Sequence, residues 1–427
     1  MFFIDQTELL GNCLFLNLLR VKGSSRFVMS SARFVNLNSW YFVLKLYFRI
    51  EFPIMKRKRA IISVINDLVT DQRIDRTAGV LADLGFEVLM VGRRKTDSPN
   101  MPDRSYETLR MRLLWEKGPL FYAEYNIRLF FLLLSRPADL LVSNDLDTLL
   151  PNFLVHKLKH IPIVYDSHEY FTATPELVDR PKVQRVWKGI EKKIVPRLKS
   201  CITVNASIAN LFEQEYNVPF RIVRNIPRLS ERIRIPARAE LGLPADKKIV
   251  LIQGSGINVQ RGAEEAVEAM QYLDNVLLLI VGGGDVLPVL RKMVNELSLY
   301  KKVKFVSRQT PANLAGYTAN ADIGLTIDKD TNINYRFSLP NKLFDYIYAG
   351  VPVLATPLVE LKKIIQQYQI GDFIQNHDPE HIASKIKSML QDESRMTLYR
   401  KNTKKAATEL NWETERNTLI EIFAFYA

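Results

Sequence analysis

SLPNKLFDYIYAGVPVLATP, residues 338–357, is the stretch of this chain that most clearly predicts a fold. Pro340 suits the first position of a helix, and Gly350 suits a left-handed helix end. An apolar stripe at helical spacing is formed by Leu343, Phe344 and Ile347. Residues 351–355 then form a short apolar run, which is typical of a buried parallel strand. The stretch therefore predicts a helix followed directly by a strand.

Lys342 lies in the first turn of this predicted helix. The positive end of the helix dipole disfavours a cation there by about 0.3–1 kcal/mol. Residues that break local rules are often found at functional sites. A lysine beside free helix N–H groups outlines a phosphate site, and the alternative is a solvated lysine beside a frayed turn.

Composition restricts the class of protein and its partners. The chain has 427 residues, 47% of them hydrophobic and 25% charged, as in soluble globular proteins. Its two cysteines, Cys13 and Cys201, support neither a disulfide framework nor a zinc cluster and favour a reducing, cytoplasmic compartment. The net charge of +13 favours an anionic partner. Basic residues are scattered without an RNA- or DNA-binding signature, so no nucleic acid is expected.

In the rest of the chain, outward from residues 338–357, predicted strands and helices alternate in two series of similar size. We predict an N-terminal extension over residues 1–54, a first domain over 55–226, a linker over 227–244 and a second domain over 245–405. A C-terminal helix over 406–427 is expected to pack back on the first domain. The extension shows no such alternation, and Met55 is the expected start of the folded protein. The fold class is α/β, with two facing, doubly wound parallel sheets of Rossmann type.

One predicted helix, over residues 119–134, is apolar on nearly all sides. Such a helix is either deeply buried or offered to a membrane surface. Together with the net charge and the basic run at residues 56–59, it raises an anionic membrane surface as a partner.

In doubly wound sheets, ligands bind beyond the carboxyl ends of the strands, and this rule selects a few loops. Two of them are rich in glycine and would let a ligand approach the backbone; they contain Gly254, Ser255, Gly256, Gly283 and Gly284. Neither completes a dinucleotide fingerprint or a P-loop, and glycine for turning alone is the alternative. Arg261 is expected to open a helix, so Arg261 and Lys342 could hold a diphosphate without a metal.

Several polar side chains occupy the other selected loops. His168 follows a predicted strand and could bind or protonate a reacting sugar, or could serve as a loop cap. Asp345 could accept hydrogen bonds from sugar hydroxyls, or could pair with Lys342 within the helix. On the acceptor side we predict a group of residues for which helix capping is the alternative: Asp67, Asp71, Arg73, Asn144, Asp145 and Glu169.

Taken together, these motifs resemble the retaining GT-B glycosyltransferases of family 4 over nearly all of the chain after Met55. The pieces DLLVSNDLDTLL and IVYDSHEYF resemble the acceptor half of that family. The pieces QGSGINVQRGAEEAVEAM, IVGGGD and LPNKLFDYIYAGVPVLAT resemble its nucleotide-sugar half.

The resemblance implies roles for individual residues. Arg261 would contact the donor diphosphate, Asp345 would bind the nucleotide ribose, and His168 would lie near the transferred sugar. Leu343 belongs to the matching donor-binding motif. The sequence departs from the family at Phe337, where the first motif glutamate would fall, and at Ser255, where the first basic residue of the phosphate pair would fall.

The function implied is a retaining, metal-independent hexosyltransferase that uses a nucleotide-diphosphate sugar and no cofactor. Its acceptor would be a glycan or a lipid-linked sugar, as in polysaccharide biosynthesis. Two alternatives stay open: a nucleotide-sugar 2-epimerase of similar fold, and a nucleotide-sugar-binding protein whose active site has decayed.

Overall fold

A computed structural model describes residues 57–69, 71–96, 98–174, 177, 180–227 and 234–427. The predictions for residues 1–54, and those for residues 228–233 of the linker, lie outside the described residues. The described part contains two parallel sheets with strand orders β3-β2-β1-β4-β5-β6-β7 and β10-β9-β8-β11-β12-β13. All strand pairs in both sheets are parallel. The prediction of two Rossmann-like domains is confirmed.

The first domain is built from apolar β-strands that alternate with amphipathic helices. Its strands are β1 (Arg59–Ser63), β2 (Glu87–Arg94), β3 (Glu107–Arg112), β4 (Leu140–Asn144), β5 (Ile163–Ser167), β6 (Cys201–Thr203) and β7 (Arg221–Ile222). Its helices are α1 (Gln72–Asp83), α2 (Gly118–Ser135), α3 (Leu146–Lys159), α4 (Pro181–Ile194) and α5 (Ala206–Tyr216). Strands β4 and β5 are buried along their whole length, because helices cover both faces of the sheet.

The second domain repeats this alternation. Its strands are β8 (Lys248–Gly254), β9 (Val276–Gly282), β10 (Val303–Val306), β11 (Ile323–Thr326), β12 (Val353–Ala355) and β13 (Gly371–Phe373). Its helices are α6 (Ala263–Ala269), α7 (Leu287–Glu296), α8 (Pro311–Ala319), α9 (Ile333–Arg336), α10 (Asn341–Ala349), α11 (Val359–Tyr368), α12 (Pro379–Gln391) and α13 (Glu393–Glu409). A final helix, α14 (Trp412–Ala424), packs on α1 of the first domain and shares a hydrophobic cluster with strand β1.

The stretch that opened the sequence analysis forms α10 and β12. Helix α10 begins at Asn341, so Pro340 is its extended N-cap residue and Lys342 is its second residue. Gly350 ends the helix in the left-handed region, with a φ of 72°. The apolar stripe packs into the core, where Leu343, Phe344 and Ile347 are fully buried.

Strand order fixes where a ligand can bind. In each sheet, the direction in which successive strands are added reverses at one point. This switch point lies between β1 and β4 in the first domain, and between β8 and β11 in the second. A crevice opens beyond the carboxyl ends of the strands at such a switch point. The loops that follow β4 and β5, and those that follow β8 and β11, are therefore the places to look for chemistry.

Helix α2 is apolar but only half buried, so deep burial, one of the two alternatives for this helix, holds for one of its sides only. Phe121, Tyr125, Leu129 and Leu133 face the core. Leu120, Ile127, Phe131 and Leu134 are exposed on the opposite side. Among the described residues, no helix is both long and apolar enough to cross a bilayer.

Candidate active site

His168 lies just beyond β5 between two carboxylates. Its Nδ1 atom is 3.2 Å from Oδ2 of Asp145, and its Nε2 atom is 3.6 Å from Oδ2 of Asp166. Burial alone lowers the pKa of the imidazole, but the two carboxylates outweigh it and raise that pKa to about 9. His168 is therefore a cation at neutral pH. It can donate a hydrogen bond or stabilise negative charge, and it is a poor base.

The backbone around Asp145 is built to present this carboxylate. Asp145 has a φ of 57°, which is costly for a residue other than glycine. In this conformation its Oδ1 atom accepts a hydrogen bond of 2.8 Å from the backbone N–H of His168. One carboxylate thus fixes both the backbone and the ring of His168.

Asp166 is held from its other side by Arg73. The Arg73 guanidinium donates hydrogen bonds of 3.0 and 2.7 Å to the two carboxylate oxygens of Asp166, and a third bond of 2.8 Å to the carbonyl of Val223. Burial by itself raises the pKa of Asp166, but Arg73 and His168 lower it overall. Arg73 is buried, so it orients the carboxylate that faces His168 and does not itself reach the crevice.

The remaining acceptor-side residues have structural partners. Asp71 caps α1 by accepting a hydrogen bond from the backbone N–H of Ile74. Asn144 is fully buried and donates a hydrogen bond of 3.0 Å to the carbonyl of Ser63, which joins β4 to β1. Asp67 accepts hydrogen bonds from Ser98, Val69 and Arg110. The structure brings Asp145 and Glu169 to the loop of His168, whereas Asp67, Asp71 and Asn144 brace the surrounding backbone.

In the second domain, Arg261 and Lys342 meet at the switch point between β8 and β11. Both face Asp328, which follows β11: Oδ1 of Asp328 lies 3.7 Å from Nζ of Lys342 and 3.9 Å from Nη1 of Arg261. The Lys342 side chain is only 12% exposed. Burial lowers the pKa of its ammonium, and Asp328 only partly offsets that effect. Nε of Arg261 is buried and donates to no described residue. Two cations and an unused donor therefore lie together in this crevice.

One expectation for this region is wrong in detail, and one of the alternatives left open does not hold. Arg261 does not open a helix, because α6 begins at Ala263 after the left-handed residue Gly262. A Cβ atom at Gly262 would lie 2.4 Å from the carbonyl oxygen of Ile327, so this position requires glycine. Lys342 does not pair with Asp345 one turn later; its partner is Asp328.

Close packing explains why several positions in the two predicted donor loops are glycine. A Cβ atom at Gly284 would come within 2.0 Å of the carbonyl oxygen of Ile257, and one at Gly282 within 1.8 Å of that of Gly254. Two backbone hydrogen bonds join the loops: the N–H of Ile257 donates to the carbonyl of Gly283, and the N–H of Gly283 donates to the carbonyl of Gly254. The backbone carbonyl of Ser255 accepts a hydrogen bond from the Arg308 guanidinium. At Gly256 a Cβ atom would meet only ordinary contacts with Asn258.

Asp345 projects from α10 toward Gln253 at the end of β8. Gln253 donates a hydrogen bond of 2.8 Å to Asp345, and it accepts one of 2.7 Å from Thr318, which fixes its amide orientation. Burial raises the pKa of Asp345 to about 6, against the opposing effect of the Gln253 hydrogen bond. The Leu343 side chain, in contrast, is fully buried in the core and does not line the crevice.

The elevated pKa of Asp345 leads to a prediction about stability and pH. Its folded pKa of about 6 exceeds the unfolded value of 3.8, so the unfolded chain ionises first as pH rises. The free energy of unfolding should therefore fall by up to about 3 kcal/mol between pH 4 and pH 6. Asp345→Asn should remove that part of the fall in a denaturant titration. An identical pH dependence in both proteins would contradict the elevated pKa.

Asn334 connects the two half-sites. From the short helix α9 it donates a hydrogen bond of 2.9 Å to the carboxylate of Glu169 and accepts one of 3.3 Å from the backbone N–H of Tyr170. The next residue, Tyr335, places its ring 5.1 Å from the guanidinium of Arg261. The short helix α9 therefore joins the loop of His168 to Arg261 of the second domain.

Sequence reasoning missed Asn334 and Asp328. Asp328 directly follows the predicted strand DIGLTI, so the rule that selected the other loops also selects it. Asn334 carries no such signal, because its partners lie in the other domain. In the part of the chain that the structure describes, no group of three or more His, Cys, Asp or Glu side chains is placed to hold a metal ion.

Phe337 makes a contact between the domains. Its side chain packs against the core cluster of the first domain, and its carbonyl accepts a hydrogen bond of 2.8 Å from Asn205. The position at which the family carries a glutamate is thus used for packing.

The geometry defines a class: a two-domain α/β protein with two parallel sheets, in which loops of the two domains contact each other. Comparison with protein families agrees. Residues 72–228 match the description Glycosyltransferase Family 4, and residues 234–409 match the description Glycosyl transferases group 1. These matches lie side by side and together take in most of the described residues. The chain belongs to the GT-B glycosyltransferases of the group 1 and family 4 type.

Individual proteins with a similar sequence or fold share only a low sequence identity with this chain. D-inositol 3-phosphate glycosyltransferase from Xylanimonas cellulosilytica is 22% identical over 203 residues, which are 45% of this chain and 45% of that protein. The matched region thus spans about half the length of this curated relative. Sucrose-phosphate synthase from Thermosynechococcus elongatus has the same fold, with a TM-score of 0.70 and 19% identity over 86% of this chain and 99% of that one. HepE from Anabaena, solved with UDP and glucose, has a TM-score of 0.65 and 13% identity over 86% of this chain and 100% of that one.

Proposed function

We propose that this protein is a retaining hexosyltransferase that transfers a sugar from a nucleotide-diphosphate donor to a glycan or a lipid-linked acceptor. The observation that carries the proposal is the pair of cations, Arg261 and Lys342, at the switch point of the second sheet. They would bind a diphosphate together, and the unused Nε donor of Arg261 favours an anionic ligand. The solved complex of HepE with UDP and glucose supports a donor of this kind.

The proposed chemistry follows from the charges around the crevice. The bond between the anomeric carbon and the phosphate oxygen breaks, and the leaving diphosphate takes the proton of the acceptor hydroxyl. The acceptor oxygen then bonds to the anomeric carbon on the face that the phosphate leaves, so the configuration is retained. His168 is already protonated, so it would position the reacting sugar by donating a hydrogen bond to one of its oxygen atoms and would not accept a proton. Arg261 and Lys342 would stabilise the departing diphosphate in place of a metal ion.

A donor panel tests this proposal. Purified protein is incubated with UDP-glucose, UDP-galactose, UDP-N-acetylglucosamine and GDP-mannose, with and without a chelator, and the nucleotide and sugar products are separated by chromatography. We expect one donor to release nucleoside diphosphate at the same rate in both conditions. Release of nucleotide with an epimerised free sugar would identify an epimerase. Binding without turnover of any donor, with or without acceptor sugars, would identify a decayed enzyme.

We also propose that the protein works at an anionic membrane surface on the cytoplasmic side. Helices α2, α3 and α4 form one layer on the first sheet, which we call the outer layer. Eight large apolar side chains of this layer are exposed: Leu120, Ile127, Phe131, Leu134, Leu154, Leu158, Val183 and Val186.

The charges of the outer layer support an anionic surface as its partner. Its acidic residues, Glu124, Asp147 and Glu191, are all buried. Its exposed charges are all basic: Arg128, Lys157, Lys159, Lys182, Arg185, Lys192 and Lys193. Each basic residue near an anionic bilayer contributes about 1 kcal/mol of binding, and salt screens this attraction.

Vesicle sedimentation tests the outer layer. We expect binding to vesicles that contain phosphatidylglycerol and little binding to phosphatidylcholine alone, with the difference fading as salt rises. The double variant Lys192→Glu/Lys193→Glu should weaken binding by at least tenfold. Lys404→Glu/Lys405→Glu on α13 makes the same change in charge at another exposed lysine pair and should have a smaller effect. Equal effects of both variants would contradict a specific membrane face.

A further inference from the structure

Asp328 is a buried carboxylate without hydrogen-bond donors. It is 1% exposed, and neither of its oxygens accepts a hydrogen bond from any described residue. The cations beside it lie 3.7 and 3.9 Å away, beyond hydrogen-bonding distance. Buried carboxylates are normally both paired and hydrogen-bonded. Asp328 has its charge balanced but its lone pairs unused.

The other end of the same strand shows what a structural carboxylate looks like in this protein. Asp322, just before β11, accepts hydrogen bonds of 2.8 Å from the backbone N–H of Ile249, 2.9 Å from Arg238 and 3.2 Å from Arg400. Both acids flank one short strand, yet only the acid at the ligand crevice lacks donors. The difference indicates that the donors for Asp328 come from a ligand.

The chemistry of a nucleotide sugar identifies those donors. A diphosphate offers no hydrogen-bond donor at neutral pH and would repel the carboxylate, whereas a sugar offers several hydroxyl groups. Resting on the function proposed above, we propose that Asp328 accepts hydrogen bonds from hydroxyl groups of the transferred sugar. It would thereby discriminate the intact donor from the released nucleoside diphosphate. Asp328 would also supply the carboxylate that Phe337 does not, since Phe337 packs against the first domain.

This role predicts effects of opposite sign on two ligands. Asp328→Asn removes the charge that repels a diphosphate, so nucleoside diphosphate should bind at least as tightly as to the wild type. The same substitution weakens the acceptor for sugar hydroxyls, so the nucleotide sugar should bind about tenfold more weakly. The ratio of the two dissociation constants is therefore the diagnostic quantity.

The experiment is calorimetric titration of the full chain with UDP and UDP-glucose, and with GDP and GDP-mannose, after melting curves have shown that each variant is folded. Asp330→Asn is the matched control, because Asp330 lies in the same loop and pairs with exposed Arg336. The control should leave the ratio unchanged. Asp328→Ala, which is smaller and cannot clash, should shift the ratio further than Asp328→Asn does.

Each outcome of these titrations either supports or overturns the proposed role of Asp328. An equal loss of affinity for both ligands would show that Asp328 only holds the two cations in place, and the proposal would fall. No change in either affinity would also overturn it, while the proposed function would stand on wild-type binding. If the wild type bound no nucleotide and no nucleotide sugar of the panel, the proposed function and this inference would fail together.

Discussion

Replacing His168 with alanine is expected to lower the rate of sugar transfer by about 10²- to 10³-fold, the usual effect of losing one preorganised hydrogen-bond donor, with little change in affinity for the nucleoside diphosphate. His168 belongs to the first domain and lies between Asp145 and Asp166, whereas the diphosphate is assigned to Arg261 and Lys342. Its hydrogen bond would be made to the reacting sugar and not to the diphosphate. Steady-state kinetics and calorimetric titration together separate the two effects.

His160→Asn is a suitable control for this variant. His160 ends α3 with a φ of 56°, and asparagine tolerates that conformation better than alanine does. It lies at the opposite end of α3 from Asp145, so transfer should proceed at the wild-type rate. If the folded His168→Ala protein transferred sugar at the wild-type rate, His168 would have no role in transfer and would only cap its loop.

Removing either cation of the second domain should weaken nucleoside diphosphate binding by about 10- to 100-fold, since charge-assisted hydrogen bonds to phosphate contribute roughly 1.5–3 kcal/mol each. The effect of Arg261→Ala and Lys342→Ala should be the same in the presence of a chelator. If both side chains hold the same phosphates, the double variant should lose less than the sum of the single losses.

Two features of the structure shape this second experiment. Lys342 faces Asp328, so Lys342→Ala leaves a buried carboxylate with Arg261 alone and is expected to lower the melting temperature of the empty protein. Titrations therefore belong well below that temperature. Lys248→Ala removes an exposed charge from the far end of β8 and serves as the control. Normal binding by Lys342→Ala would make the lysine structural and move the phosphate site elsewhere.

Much of the fold follows from local pattern. Apolar runs such as residues 351–355, bounded by Gly350 and Pro357, predict strands because a parallel sheet is covered on both faces. The same patterns locate the strand ends, and so they place His168 beyond β5 and Arg261 beyond β8, whereas the start of helix α10 places Lys342. Helix boundaries were less predictable at Arg261, because the next residue, Gly262, has a left-handed backbone and packs closely against Ile327.

The parts that could not be predicted depend on contacts between residues distant in sequence. Nothing near Arg73 signals that it binds Asp166, and nothing near Asn334 signals that it reaches Glu169. The exposed side of α2 was also undetermined, because a helix that is apolar all round does not show which side meets the core. Such features require the tertiary structure.

The most direct test of the proposed mechanism is the anomeric configuration of the product. Wild-type protein would be incubated with its active donor and a chelator, and the product examined by proton NMR before it equilibrates in water. Our account predicts a product with the same anomeric configuration as the donor, formed without a divalent metal. An inverted product, or one formed only after a metal ion is added back, would contradict it.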